Sequence, residues 1–161
     1  MMKKHLSILG IGPIYVTLIA VITLLAYLAT RLAWIPTIHL LEKPLPLYII
    51  AICTIIFGIY LWAQAVFNAD ITQNIKENEL VTSGVYALVR NPIYSAFMLV
   101  ADSLILAINN LYLLPLILIY WWLLTLMLQH TEEVWLEKLY GQPYRDYCKR
   151  VNRCFPWFAK K

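Results

Sequence analysis

Four apolar runs separated by short polar segments set the architecture of this chain. Ile14 to Ile35 and Leu45 to Phe67 are each longer than the roughly 20 residues with which an α-helix crosses about 30 Å of hydrocarbon. Pro92 to Ile108 and Leu111 to Leu128 are shorter and are divided only by Asn109-Asn110, so they read as a helical hairpin. None of the runs alternates polar with apolar residues as barrel strands do, and a backbone in lipid must satisfy its own hydrogen bonds, which leaves helices. After His130 the pattern changes. Val134, Trp135, Leu136, Leu139 and Tyr140 recur at helical spacing among Glu132, Glu133, Glu137 and Lys138, and Gly141 stops that helix. Pro143 then opens another, with Tyr144, Tyr147, Cys148 and Val151 on one face. The expected fold is therefore all-α: one domain, an integral membrane bundle of about four transmembrane helices (about 14–35, 45–67, 92–108 and 111–128), with amphipathic helices over about 130–152 resting on the inner membrane surface.

Composition agrees. With 61% hydrophobic against 14% charged residues and a mean hydropathy of +0.68, the chain has too few solvated side chains to cover a soluble globule. The first run follows Lys3 and Lys4 as a secretory leader would, but it is too long and no small-x-small cleavage site ends it, so a retained span is expected. Four spans put both ends on one side, where Lys3, Lys4, Lys76, Arg90, Lys138, Arg145, Lys149, Arg150, Arg153, Lys160 and Lys161 gather, against Arg31 and Lys43 opposite. The positive-inside rule makes the crowded side cytoplasmic, in the inner membrane if the cell is prokaryotic. The net charge of +4 is then a topology signal and an attraction for anionic headgroups; no motif points to nucleic acid. Cys53, Cys148 and Cys154 lack metal or redox spacing, so no metal is expected.

The loop Pro36 to Pro44 is short, with Trp34 and Tyr48 at its membrane edges, and is expected only to connect. Asn68 to Val89 is long and polar, and a loop of that length suits a lid. It ends at Arg90-Asn91-Pro92, a helix entrance in which Asn caps and Pro gives up an N–H that would lack a partner anyway. Such a helix start favours an anion, and the planar fork of Arg90 suits a carboxylate, although a lone juxtamembrane Arg also snorkels to headgroups. Asp102 falls near the membrane middle, where a carboxylate costs on the order of 3 kcal/mol. It should face the bundle, protonated or bonded to Ser103, Gln64 or a hydroxyl of the second span.

Taken in order, Gly84-Val85-Tyr86, Arg90 to Ala96, Glu132-Glu133-x-x-Leu136, Gly141-x-x-Tyr144-x-x-Tyr147 and Arg153-x-x-Pro156 resemble the isoprenylcysteine carboxyl methyltransferase and phospholipid methyltransferase superfamily of membrane enzymes. The resemblance covers about the last half of the chain, and the ordered set is far more specific than any piece. Two positions depart from it. Asn91 stands where prenylcysteine-methylating members usually have His and cannot titrate near neutral pH, and Ala96 stands where Gly is common, which adds a methyl at a close helix contact.

The resemblance implies transfer of a methyl group from S-adenosyl-L-methionine, held without a Rossmann domain, to a lipophilic or membrane-borne acceptor: an isoprenylcysteine carboxylate first, a phospholipid amine or a thiol after it. Gly10-Ile11-Gly12 lacks the context of a dinucleotide fingerprint, so no other nucleotide site competes. Tyr86, Arg90, Asn91, Pro92, Tyr94, Glu132, Glu133, Tyr144 and Tyr147 are the expected cofactor-binding residues, with Arg90 on the methionine carboxylate and a glutamate on the ammonium or ribose. Arg90 and Glu133 are the expected catalytic pair. Adjacent helix residues point about 100° apart, so one glutamate should face the pocket and the other a basic neighbour such as Arg150 or Arg153. Asp102, Trp121, Trp122 and Arg153 are candidates for contact with the acceptor. A small transporter is the competing class, yet the first span offers only Thr17, Thr23 and Thr30 as polar groups. A non-catalytic membrane protein, and a nicotinamide-dependent reductase of related C-terminal motif, are the other readings.

Overall fold

The computed structural model describes residues 10–67 and 79–156. These residues form α1 (Gly12–Arg31), α2 (Leu45–Phe67), α3 (Pro92–Ile108), α4 (Pro115–His130), α5 (Glu132–Tyr140) and α6 (Gln142–Arg150), with 3-10 turns at Gly84–Ala87 and Leu111–Leu113. No strand occurs among the described residues. The expected lid falls partly on residues 68–78, outside the described residues, as do Lys3, Lys4, Lys76, Lys160 and Lys161.

Helices α1 and α2 and the segment Leu111–His130 are long and apolar enough to cross a membrane. Helix α3 is also apolar but has 17 residues, so it is about 25 Å long. Leu25, Ile49, Ile52, Ile56 and Leu118 are exposed on the bundle's exterior. In water such a surface would drive association, whereas facing lipid it is the ordinary outside of a membrane protein. The first span stops at Arg31, four residues before the expected end. Pro36 disfavours helix at the residue before it, and the chain turns early: Ala33 takes φ 57°, and the amides of Trp34 and Ile35 fold back onto the Ala29 carbonyl.

Helix α3 is the hub, packed against α1, α2 and α4. Met98, Ala101 and Ile105 on α3 are buried among Tyr15, Ile19, Leu124 and Leu128. On the α2 side the space for close approach comes from Gly58, where a Cβ would lie 3.1 Å from the Ala96 carbonyl. Gly58 thus lets the backbone of α3 approach α2 closely, and Ala96 beside that contact is 4% exposed.

The loop between α1 and α2 does more than connect. The Asn109 amide oxygen accepts from the Leu40 and Leu41 amides at 3.0 and 3.1 Å, and its Nδ2 donates to the Leu41 carbonyl at 2.9 Å. Asn110 Nδ2 donates to the Pro36 carbonyl at 3.2 Å, and the Leu111 amide to the Ile38 carbonyl at 2.8 Å. The two asparagines, 6% and 0% exposed, thus clasp the α1–α2 loop to the α3–α4 turn. At the other end of the bundle the starts of α1, α3 and α5 meet residues 79–91 and the tail after α6, and the site is there.

Candidate functional site

The polypeptide breaks at Thr131 between α4 and α5, making Glu132 and Glu133 the first two residues of α5. They diverge as adjacent helix residues must. Glu132 turns to the start of α1, where its Oε1 accepts from the Tyr94 hydroxyl at 2.6 Å and from the Ile11 amide at 3.1 Å. Both glycines flanking Ile11 are required by that approach. A Cβ on Gly10, whose φ is +51°, would overlap Glu132 Oε1, and one on Gly12 would lie 2.7 Å from the Tyr94 ring.

Glu133 turns the other way. Arg153 grips it bidentately, Nε to Oε1 at 2.6 Å and Nη2 to Oε2 at 2.8 Å, and Arg90 Nη1 adds a contact to Oε1 at 3.1 Å. Arg90 is 8% exposed along its side chain, its Nη1 also meets Cys148 Sγ, and its Nε has no partner among the described residues. The backbone holds the same pieces together: the Arg90 amide donates to the Asn152 carbonyl at 2.9 Å, and Asn91 Nδ2 to the Arg153 carbonyl at 3.1 Å. Asn91 therefore does not cap α3 with its side chain, as its position suggested, but ties the tail to the helix entrance.

Between these elements lies a cavity of about 280 Å³, near the lower end of the roughly 300–1,000 Å³ of small-molecule sites. Tyr86, Arg90, Asn91, Pro92, Tyr94, Glu132, Tyr144 and Tyr147 all line it. Glu133, expected with them, does not, because its carboxylate is taken by the two arginines. Glu79, Leu80 and Val81 at one edge, and Trp135, Leu136 and Tyr140 on α5, complete the wall. On α5, residues 132, 135, 136 and 140 form a helical stripe legible in the sequence, but Glu133 sits at its edge about 20° from Tyr140, so periodicity alone does not separate the two glutamates. The segment 79–81 and the glycines before α1 carried no such signal, since only the tertiary fold brings them in.

Burial makes this a wall of neutral phenols. It pushes the Tyr86, Tyr144 and Tyr147 hydroxyls above their usual range, with Glu132 adding to the effect at Tyr86 and Arg90 opposing it at Tyr147. Tyr147 donates to the Tyr86 carbonyl at 2.6 Å, which fixes the 84–87 turn against α6. Burial likewise raises the Cys148 thiol, with Arg90 opposing. The bond to Glu133 holds Arg153 still more firmly protonated.

The acceptor candidates fare differently. Asp102 is 6% exposed and faces the bundle, but its Oδ1 has no partner among the described residues. Ser103 donates instead to the Leu99 carbonyl within its own helix, and Gln64 lies on the exposed face of α2. Trp121 and Trp122 are 39% and 54% exposed and line none of the described cavities, since their side of α4 points away from the bundle. Arg153 serves Glu133.

The chain is similar to known proteins. Two relatives, each described as a probable protein-S-isoprenylcysteine O-methyltransferase, from Oryza sativa subsp. indica and Oryza sativa subsp. japonica, are 29% identical over 82 residues, half of this chain. The match covers 42% of each rice protein, so the chain spans less than half the length of these curated relatives. No solved structure matches the chain. The family model for phospholipid methyltransferases matches residues 46–143, from α2 through the helix that presents Glu132 to the first turn of α6. On that match over more than half of its length, the chain belongs to the phospholipid methyltransferase family.

Proposed function

We propose that the protein transfers a methyl group from S-adenosyl-L-methionine to a lipophilic, membrane-borne acceptor, an isoprenylcysteine-type carboxylate ahead of a phospholipid amine or a thiol. The observation that carries this reading is the pairing, in one cavity, of a buried guanidinium whose Nε is unpartnered among the described residues with the Glu132 carboxylate, both framed by aromatic rings. The donor's methionine end bears a carboxylate and an ammonium, and its sulfonium is a third charge. Arg90 matches the first, Glu132 the second or the ribose hydroxyls, and the faces of Tyr86, Tyr144 and Trp135 suit the cation.

When bound, S-adenosyl-L-methionine supplies a methyl carbon already activated for displacement. The protein's part is alignment and exclusion of water. Tyr94 and the Ile11 amide hold Glu132 in one rotamer, and Glu133 holds Arg90 through Nη1, leaving the Nε edge to the ligand. Glu133 is on this reading a positioning residue. A carboxylate or thiolate acceptor needs no base, whereas a protonated amine would draw on Glu132, whose Oε1 is already committed to donors and whose other oxygen is the proton acceptor. The crowding of Arg90, Lys138, Arg145, Lys149, Arg150 and Arg153 toward this end supports a cytoplasmic site.

The test is thermal stabilisation of the detergent-solubilised protein by millimolar S-adenosyl-L-methionine, with its demethylated product as a second ligand, followed by labelled methyl transfer to prenylcysteine, phosphatidylethanolamine and small thiols. Stabilisation that Arg90→Ala and Glu132→Gln abolish is expected. Absence of any ligand effect on the intact protein would remove the basis of the proposal.

A further inference from the structure

A cavity larger than the site described above lies elsewhere among the described residues. It is a groove of about 800 Å³ between α1 and α3, open to the exterior of the bundle, and it runs to the clasp end, opposite the cavity that holds Arg90. Its floor and walls are apolar, with Ile19 and Ala20 on α1 facing Ala101 and Leu104 on α3. From Phe97 to Ile108 both helices wall it together, a depth of about 16 Å, which is the thickness of one leaflet of a roughly 30 Å hydrocarbon layer.

The character changes at the clasp end. There the lining is Tyr27, Thr30, Arg31, Thr37, His39 and Tyr48, a cation, an imidazole and four hydroxyls in a chain with few polar groups to spare. The Arg31 guanidinium lies over the Tyr27 ring at 5.4 Å and its Nε donates to the Tyr27 hydroxyl at 3.2 Å. That arrangement orients the planar fork and leaves its outer nitrogens for a ligand, and among the described residues no carboxylate pairs with it. His39 Nδ1 lies 3.3 Å from the Asn109 carbonyl. A carbonyl only accepts, so Nδ1 carries the proton and the other ring nitrogen is left to the groove. The clasp therefore fixes His39 beside Arg31 rather than leaving it on a loose loop.

We propose that this groove seats a glycerophospholipid, its phosphate on Arg31 and the neighbouring hydroxyls and one acyl chain between α1 and α3. The match is of charge and of length together: a fork suited to phosphate at the membrane edge, above an apolar slot as deep as one leaflet. Helix α3 separates this end from Arg90 by about 25 Å, too far for a methyl group to be passed. The lipid is therefore held, not methylated, and the site is independent of the proposed reaction.

Native mass spectrometry of the full chain from dodecylmaltoside micelles, titrated with palmitoyl-oleoyl phosphatidylglycerol and, separately, with the diacylglycerol of the same chains, tests the assignment. A one-to-one phospholipid adduct is expected. Arg31→Ala should weaken it about tenfold, as expected for loss of one charge-assisted phosphate contact, and leave the diacylglycerol signal unchanged. Leu104→Trp should fill the slot and weaken both, and Arg31→Lys, which keeps the charge but not the fork, should fall between. Arg31 and Leu104 are both exposed, so the variants should fold, with helical circular dichroism as the check. Equal adducts for wild type and Arg31→Ala would overturn the proposal. So would an adduct that survives Leu104→Trp, displacement by glycerol 3-phosphate alone, or a dimer that phospholipid does not dissociate.

Discussion

Glu133→Gln tests most directly how the site is held. The glutamate is 14% exposed and lies 3.1 Å from Arg90 and 2.6 Å from Arg153. At an effective dielectric constant of about 20 these separations correspond to attractions of roughly 5 and 6 kcal/mol. Desolvation and repulsion between the two guanidiniums cancel much of that, and the net cost of removing the shared anion should be about 2–4 kcal/mol, the low end for a buried pair because Arg153 is 22% exposed. For a chain of this size the melting temperature should fall by roughly 5–15 °C. The variant also frees Arg90 to move away from the cavity, so affinity for S-adenosyl-L-methionine should drop about tenfold or more, although residue 133 does not line the cavity. Far-ultraviolet circular dichroism in detergent reports the first effect and equilibrium binding of labelled donor the second. Arg153→Leu should reproduce the loss of stability with a smaller loss of affinity. A Glu133→Gln protein that melts with the wild type and binds donor equally well would refute the idea that this carboxylate organises the two arginines.

Other outcomes follow from single contacts. Tyr94→Phe removes the 2.6 Å bond to Glu132 and should weaken donor binding several-fold while costing about 1–2 kcal/mol of stability, read by binding and denaturation on the same preparation. Gly12→Ala puts a methyl 2.7 Å from the Tyr94 ring and should cost about 1–3 kcal/mol by overpacking, a loss of stability that Tyr94→Ala in the same chain partly relieves without restoring donor affinity. Asn109→Ala deletes the bonds to Leu40 and Leu41 and places Ala at φ 55°; stability should fall by about 2–4 kcal/mol with donor affinity unchanged. Burial pushes the Cys154 thiol from 9 up to about 11. Between those values the native state keeps a proton that the unfolded chain releases, so stability should decline as pH rises through that window, and Cys154→Ala should flatten the decline in melts recorded from pH 8 to 11.

The helices were legible because lipid imposes a simple code: long apolar runs must be helical, and α2 and α3 begin and end where their apolar runs do. The first span was overextended because Trp34 and Ile35 are as apolar as what precedes them, while its end is set by the backbone turn ahead of Pro36. The motif residues Tyr86, Arg90, Tyr94, Glu132, Tyr144 and Tyr147 do share one cavity. Which glutamate faces it is decided by contacts only the fold brings together, Tyr94 and the Ile11 amide at Glu132 and the two arginines at Glu133. Partners 121 residues apart in sequence, such as Ile11 and Glu132, leave no periodic trace at all. Nor did Asn109-Asn110 announce a clasp, since two polar residues between spans look the same whether they meet water or another loop. Trp121 and Trp122 lie on the exterior face of α4, a placement that their position in the middle of a span left open.

The bonds from Arg90 to Asn152, from Asn91 to Arg153 and from Arg153 to Glu133 bear on what the tail contributes. Without residues 152 and 153 Arg90 lacks its backbone partner and Glu133 half of its countercharge, so a released chain cut after residue 150 keeps every apolar helix and should still enter the bilayer, yet be unable to retain the donor.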